Sequence, residues 1–155
     1  MMNIVLDTNA LLMAISAKNV HHRVWIAFLS GKYTLCITNE IIEEYLEVIS
    51  RNINPLVAEK IVSAILTREN VIKLDPHFRF QLIEADQDDN KFVDCAIAGN
   101  ASYIVTEDHH FDSLKDLKFP PICVIGIDEF IHILDSFSYN MMLNEPEIVY
   151  RKRTK

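Results

Sequence analysis

Asn3-Ile4-Val5-Leu6-Asp7-Thr8-Asn9-Ala10-Leu11-Leu12 is the stretch on which the reading of this chain turns. Ile4, Val5 and Leu6 form a short apolar run that reads as a buried strand. The run from Ala10 to Ala17 reads as a helix, and Thr8 or Asn9 is suited to cap it. Asp7 therefore stands where the strand ends. In a parallel sheet that end is the carboxyl edge, where open α/β folds place their ligands. Taken alone, Asp7 serves equally well as a turn residue, so its meaning depends on the rest of the chain.

Working outward, the same alternation repeats. Helical patterns over Leu11–Ser16 and His22–Ser30 lead to a strand over Tyr33–Ile37 and a helix over Asn39–Ser50. Val24, Trp25, Phe28 and Leu29 share one side of the second helix, and Gly31 ends it. Pro55 opens a helix to about Arg68, with Val57, Ile61, Ile65 and Leu66 facing inward. Val71–Leu74 is a strand stopped by Asp75-Pro76. A helix over Asp89–Asn100, strands over Tyr103–Thr106 and Ile122–Ile125, and a last helix over Asp128–Ser136 complete the pattern. Strands alternating with helices predict an α/β fold, three α/β/α layers around a central parallel sheet. Residues 1–138 read as one domain and 139–155 as a C-terminal tail with a basic end.

Acidic residues recur at or near these junctions. Glu44 sits at the edge of the stripe formed by Ile41, Ile42, Tyr45, Leu46 and Ile49, while Glu43 and Glu47 point outward. Asp86, Asp88 and Asp89 precede a helix, where carboxylates satisfy free amides and suit the dipole. Asp94 lies inside that helix among Val93, Cys95, Ala96 and Ile97, which is no place for an idle surface acid. Five residues separate Asp89 from Asp94, so on an ideal helix they diverge by about 140°. They reach one site only if Asp89 lies outside the regular turn. Asp108 closes Tyr103-Ile104-Val105-Thr106-Glu107-Asp108. Glu107 is expected to be solvated. His109 and His110 are adjacent and project in different directions, so no joint ligand role is expected of them.

The opening Val-Leu-Asp-Thr-Asn, the block Asp88-Asp89-Asn90-Lys91-Phe92 and the block Ile104-Val105-Thr106-Glu107-Asp108 together resemble the PIN-domain family, the metal-dependent nuclease fold of VapC-type toxins. The resemblance runs from about Asn3 to Asp128. It implies that Asp7, Glu44, Asp89 and Asp108 are catalytic and hold metal, with Asp94 in a further acidic place seen in this branch. It implies that Thr8, Asn9 and Thr106 orient them. It also implies an endoribonuclease, with RNA as substrate, held as the toxin of a toxin–antitoxin pair by a small antitoxin encoded nearby. A housekeeping RNA-processing nuclease and a non-catalytic binding module on the same fold are the other readings, and a homo-oligomer is compatible with each.

Elementary electrostatics supports a cation at such a cluster. Two carboxylates about 4 Å apart repel by roughly 4 kcal/mol at an effective dielectric near 20. Oxygen ligands favour Mg²⁺ or Mn²⁺, as one ion or two. Two ions about 3.5–4 Å apart can activate water for in-line attack on a phosphodiester. Rival chemistries lack their residues. A phosphatase of the haloacid-dehalogenase type needs a second Asp where this chain has Asn9, and no Gly-rich phosphate loop or serine nucleophile elbow occurs.

Composition bounds the rest. A chain of 155 residues, 50% hydrophobic and 24% charged, is enough for one domain with a core. No apolar run approaches the roughly 20 residues of a membrane span, and no signal-peptide pattern is seen. Cys36, Cys95 and Cys123 read as small buried hydrophobes in a reducing cytoplasm. The net charge is −7, and removing the four positive charges of Arg151, Lys152, Arg153 and Lys155 leaves −11. A polyanionic substrate then calls for a local basic patch, with Lys91, Lys115, Lys118 or the tail as candidates.

Overall fold

The computed structural model describes residues 1–144, so the basic segment 151–155 lies outside the described residues. Its strands are β1 (Asn3–Leu6), β2 (Thr34–Ile37), β3 (Val71–Lys73), β4 (Tyr103–Val105) and β5 (Val124–Ile125). All neighbouring pairs are parallel, in the order β3-β2-β1-β4-β5. Helices α1 (Thr8–Ile15), α2 (His22–Leu29), α3 (Asn39–Asn52), α4 (Pro55–Thr67), α5 (Asn90–Ala98) and α6 (Ile127–Asn144) flank it. This is the three-layer α/β/α architecture that the alternation predicted. Ile4, Val5 and Leu6 are all fully buried, which requires cover on both faces of the sheet. No helix among the described residues is long and apolar enough to cross a membrane.

The strand order reverses between β1 and β4. The chain fills one side of β1 with β2 and β3, then crosses to the other side with β4 and β5. Pairing of Leu6 with Val105 ends β1 and β4 level with each other. The Asp7 N–H extends that ladder by one bond, donating to the Val105 carbonyl at 3.0 Å. Asp7 and Thr106 are thereby adjacent at the crevice where such sheets bind ligands.

Helix α3 is fixed to the same edge. Thr38 caps it, its hydroxyl accepting the Ile41 N–H at 3.2 Å. One turn further on, the buried Tyr45 hydroxyl donates to the Leu6 carbonyl at 2.6 Å, tying α3 to the last residue of β1. Glu44, one residue before Tyr45, is delivered beside Asp7.

Several expectations need correction. The inner face of α4 is Ala58, Val62 and Ile65; Val57 and Ile61 are only partly covered, and Leu66 is exposed. Helix α4 packs chiefly on α3, so its buried stripe is narrow, and Leu46 of α3 is exposed as well. Residues 87–89 form a separate 3-10 turn before α5, and residues 109–116 form a second 3-10 segment that the apolar pattern did not announce. Helix α6 continues to Asn144, so the boundary drawn at 138 falls inside it. Cys36 and Cys95 are buried, whereas Cys123 is exposed just before the outermost strand.

The Tyr45 bond yields a prediction. Tyr45→Phe keeps the ring packing and leaves the Leu6 carbonyl without its hydroxyl donor. Stability should fall by about 1–2 kcal/mol, read from the midpoint of a denaturant titration at unchanged slope.

Candidate metal centre

Asp7 is the most constrained acid of the site. It caps α1, its Oδ1 accepting the Thr8 N–H at 2.7 Å, and its Oδ2 accepts the Thr106 hydroxyl at 2.8 Å. Only 5% of it is exposed. Burial pushes its carboxyl above the usual range; the two hydrogen bonds oppose that rise, and the charges of Glu44 and Asp108 add to it. Capping and chemistry are therefore not rival roles here, because the cap is what aims the carboxylate.

Thr106 also organises its neighbour. Its hydroxyl oxygen accepts the Asp108 N–H at 3.0 Å. Asp108 caps the 3-10 segment that follows, accepting the His110 N–H at 2.9 Å. That turn folds His110 back over the acids. Its Nδ1 lies 3.1 Å from Asp89 Oδ2, 3.3 Å from Asp108 Oδ1 and 4.0 Å from Asp86 Oδ2. The hydrogen bond to Asp89 raises the affinity of His110 for its proton; desolvation opposes that rise, and the charges of Asp108, Asp89 and Asp86 add to it. Asp89 is 9% exposed, and burial pushes its carboxyl up to about 6, with the bond from His110 opposing.

Glu44 joins from α3. One carboxylate oxygen accepts the Thr8 hydroxyl, and the other lies 2.8 Å from the Lys91 ammonium. Lys91 is only 14% exposed. This Lys is thus not a free member of a basic patch but the partner of a site acid. Lys115 is likewise paired, with Asp112 at 3.2 Å.

The structure therefore brings Asp7, Glu44, Asp89 and Asp108 to one edge of the sheet. Thr8 reaches Glu44, and Thr106 reaches both Asp7 and Asp108. Asn9 is exposed and has no side-chain hydrogen bond among the described residues; Thr106 and the Thr8 amide fill the place expected for it. Glu107 is exposed as expected, yet its Oε1 accepts the Ile127 N–H at 2.7 Å at the start of α6. His110 and Asp86 were not anticipated as members. The available signal was Asp108 itself: a carboxylate that caps a turn draws in the residue two positions on.

Asp94 does not join them. Asp89 does lie outside the regular helix, in the 3-10 turn, but Asp94 still faces elsewhere. Its Oδ1 accepts the Phe80 N–H at 3.1 Å, and the charges acting on it are Arg79 and Glu40. It is 8% exposed, and burial raises its carboxyl above the usual range. The divergence of about 140° between positions five apart wins.

Asp86, Asp89 and His110 each offer one ligand atom, and these atoms lie within 4.8 Å of one another. Asp108 borders them through His110. A deprotonated His110 supplies one nitrogen to a donor set otherwise made of carboxylate oxygens, a set that fits a divalent cation. Buried acids with raised carboxyls point the same way, since a cation relieves the repulsion that burial aggravates.

The family profile described as PIN domain matches residues 3–110, from the start of β1 to His110. The chain belongs to the PIN-domain family. Solved structures share the fold over most of the chain. The VapBC2 structure from Rickettsia felis, bound to a DNA fragment from its promoter, matches with a TM-score of 0.58 at 18% identity, covering 81% of this chain and 98% of that one. The DNA-bound VapBC of Salmonella typhimurium gives 0.54 at 18%, covering 82% and 99%. The RRP44 PIN domain of T. brucei gives 0.53 at 11%, covering 92% and 86%. At these identities the likeness is one of fold. Among curated proteins nothing matches the sequence.

The separation of Asp94 from this PIN centre is measurable. In a calorimetric titration with Mn²⁺, Asp89→Asn should weaken binding by about tenfold or more, while Asp94→Asn should leave the affinity within about twofold. Equal losses would place Asp94 back among the ligands.

Proposed function

We propose that this PIN domain is a divalent-metal-dependent endoribonuclease and the toxin of a toxin–antitoxin pair. One observation carries the reading: Asp7, Asp89 and Asp108, with Glu44 reached through Thr8, converge at the β1–β4 crevice. Asp7, Glu44, Asp89 and Asp108 would hold one or two Mg²⁺ or Mn²⁺ ions, with His110 and Asp86 at the rim and Asp94 left outside the set. A bound divalent ion supplies the Lewis acidity that activates water and stabilises the leaving oxygen in phosphodiester hydrolysis.

The side chains of the chain itself prepare the site. The Thr8 amide and the Thr106 hydroxyl fix both oxygens of Asp7, so the carboxylate needs no reorientation to act. Thr106 also orients the backbone of Asp108. Lys91 neutralises Glu44, and a protonated His110 would do the same for the Asp89–Asp108 pair. Such internal cations would let a −7 chain keep its acids together before any ion arrives and would lessen repulsion of an anionic substrate.

The toxin reading draws on the fold shared with two VapBC complexes. A small antitoxin with an Arg or Lys aimed at the acids is the fitting partner, since a guanidinium binds carboxylates in a bidentate manner. Val24, Trp25 and Phe28 are buried, so that segment is not the apolar anchor for such a partner. Co-purification from the native operon should yield a complex with a small neighbouring gene product and suppressed activity. If the protein emerges alone and active, and its expression leaves growth unchanged, an RNA-processing role replaces the toxin role.

Cleavage of RNA should require Mg²⁺ or Mn²⁺ and stop with a chelator. The products should carry 5′-phosphate and 3′-hydroxyl ends; cyclic phosphate ends would sink the mechanism by making the ribose 2′-hydroxyl the nucleophile. Asp7→Asn should fold normally and lose activity by on the order of a hundredfold or more, while Glu43→Gln retains it.

A further inference from the structure

Beside the acidic centre lies a cavity of about 510 Å³, within the range of small-ligand sites. The 3-10 turn 87–89 separates the two: Asp89 faces the acids, and Gln87 and Asp88 line the cavity. Lys91 belongs to both sides, bonded to Glu44 and lining the cavity. The far wall is the strand-free segment after β3. Three side-chain contacts hold it: Asn90 with both the N–H and the carbonyl of Ile83, Asp94 with the Phe80 N–H, and Glu40 with Arg79 at 3.1 Å.

Asp94 is the informative residue. It is more than nine-tenths buried, and one oxygen is taken by Phe80. Its other oxygen has no hydrogen bond among the described residues. The only fully buried side-chain polar atom without a partner there is His21 Nδ1. The second Asp94 oxygen therefore meets solvent, and Asp94 lines this cavity. A carboxylate oxygen held on the wall of a cleft is an acceptor waiting for a donor.

The remaining lining describes the ligand. Leu74 and Pro76 give an apolar surface, and Asn39 and Gln81 give amides at the rim. Charges of both signs are present, Arg79 and Lys91 against Glu40, Asp75, Asp88 and Asp94. Arg79 and Lys91 are each held by a glutamate, so the free charge of the lining is acidic and repels a phosphate. Within an RNA substrate, the group that suits it is a flat, neutral base with donors on its edge. We propose that the cavity seats one unstacked base of the RNA next to the cleaved phosphodiester, and that Asp94 selects a base with an exocyclic amino group. Adenine, cytosine and guanine offer such a donor. The only pairing-edge donor of uracil is flanked by two carbonyl oxygens, which repel a carboxylate. The proposal rests on the ribonuclease reading, and its test reads binding separately from cleavage.

The experiment measures fluorescence anisotropy of labelled five-nucleotide RNAs on the full chain in a chelator, where no cleavage occurs. The RNAs are oligo(A), oligo(C), oligo(U) and a U-rich strand with one central G. Amino-bearing strands should bind about fivefold tighter than oligo(U). Asp94→Asn keeps an oxygen for Phe80 and turns the free acceptor into a donor that suits the uracil carbonyls, so it should abolish that preference by tightening oligo(U) binding. Asn39→Ala, at an exposed rim position, should reduce affinity without reversing the preference. Equal binding of all four strands by the wild-type protein, or a preference that survives Asp94→Asn, overturns the proposal. So does competition by an arginine-rich peptide that is lost in Asp94→Asn, which would make this a protein-docking cleft. Metal-dependent cleavage of a long RNA without base preference overturns the base site and leaves the nuclease standing. Base-selective binding without cleavage does the reverse.

Discussion

Burial of the Asp7 carboxylate at the reversal of the sheet is the constraint on which the site depends. An acid there is tolerable only because both oxygens are met, one by the amide of the helix it caps and one by the Thr106 hydroxyl of the next strand. Those two bonds require β1 and β4 to end level and α1 to start at once. Tyr45 adds the third element by tying α3 to the carbonyl that precedes Asp7. Sheet register, helix capping and placement of the acids are therefore one set of hydrogen bonds viewed from different sides.

The electrostatics of the centre follows from its internal cations. Glu44 has Lys91, and the Asp89–Asp108 pair has His110. Both basic groups come from short segments next to site acids: Lys91 two residues after Asp89, His110 two after Asp108. The local arrangement thus carries its own counter-charge, and a divalent ion entering it would exchange with these groups rather than fill a bare anionic pocket. That reconciles an acidic chain with a proposed polyanionic substrate, because the acids that dominate the sequence are partly neutralised where the substrate would approach.

A carboxylate can also serve the wall of a site rather than its centre. Asp94 holds the segment after β3 through Phe80, and Asn90 does the same through Ile83. Neighbouring positions on one short helix thus divide the labour, with Asp89 ahead of it facing the acids and Asp94 inside it facing the cleft. The resemblance implies an acidic place for each, and the fold gives them different partners, His110 for Asp89 and Phe80 for Asp94.

By itself the sequence determined the elements and their class. Apolar runs of strand length, each followed by a helical stripe, require a parallel sheet covered on both sides, and an acid directly after β1 or β4 lands at its carboxyl edge whatever the details. Asp7 was legible for that reason, whereas Glu44 and Asp108 were singled out by the resemblance to PIN domains. Tertiary structure alone decided what depends on direction and distance between segments far apart in the chain. It rotated α4 on α3 and exposed Leu66. It turned Asp94 away from the acids, folded His110 onto them through the Asp108 turn, and paired Lys91 with Glu44. Local propensity fixes where a helix or strand runs; which partner a side chain meets is fixed only when the sheet order and the register bring that partner within hydrogen-bonding distance.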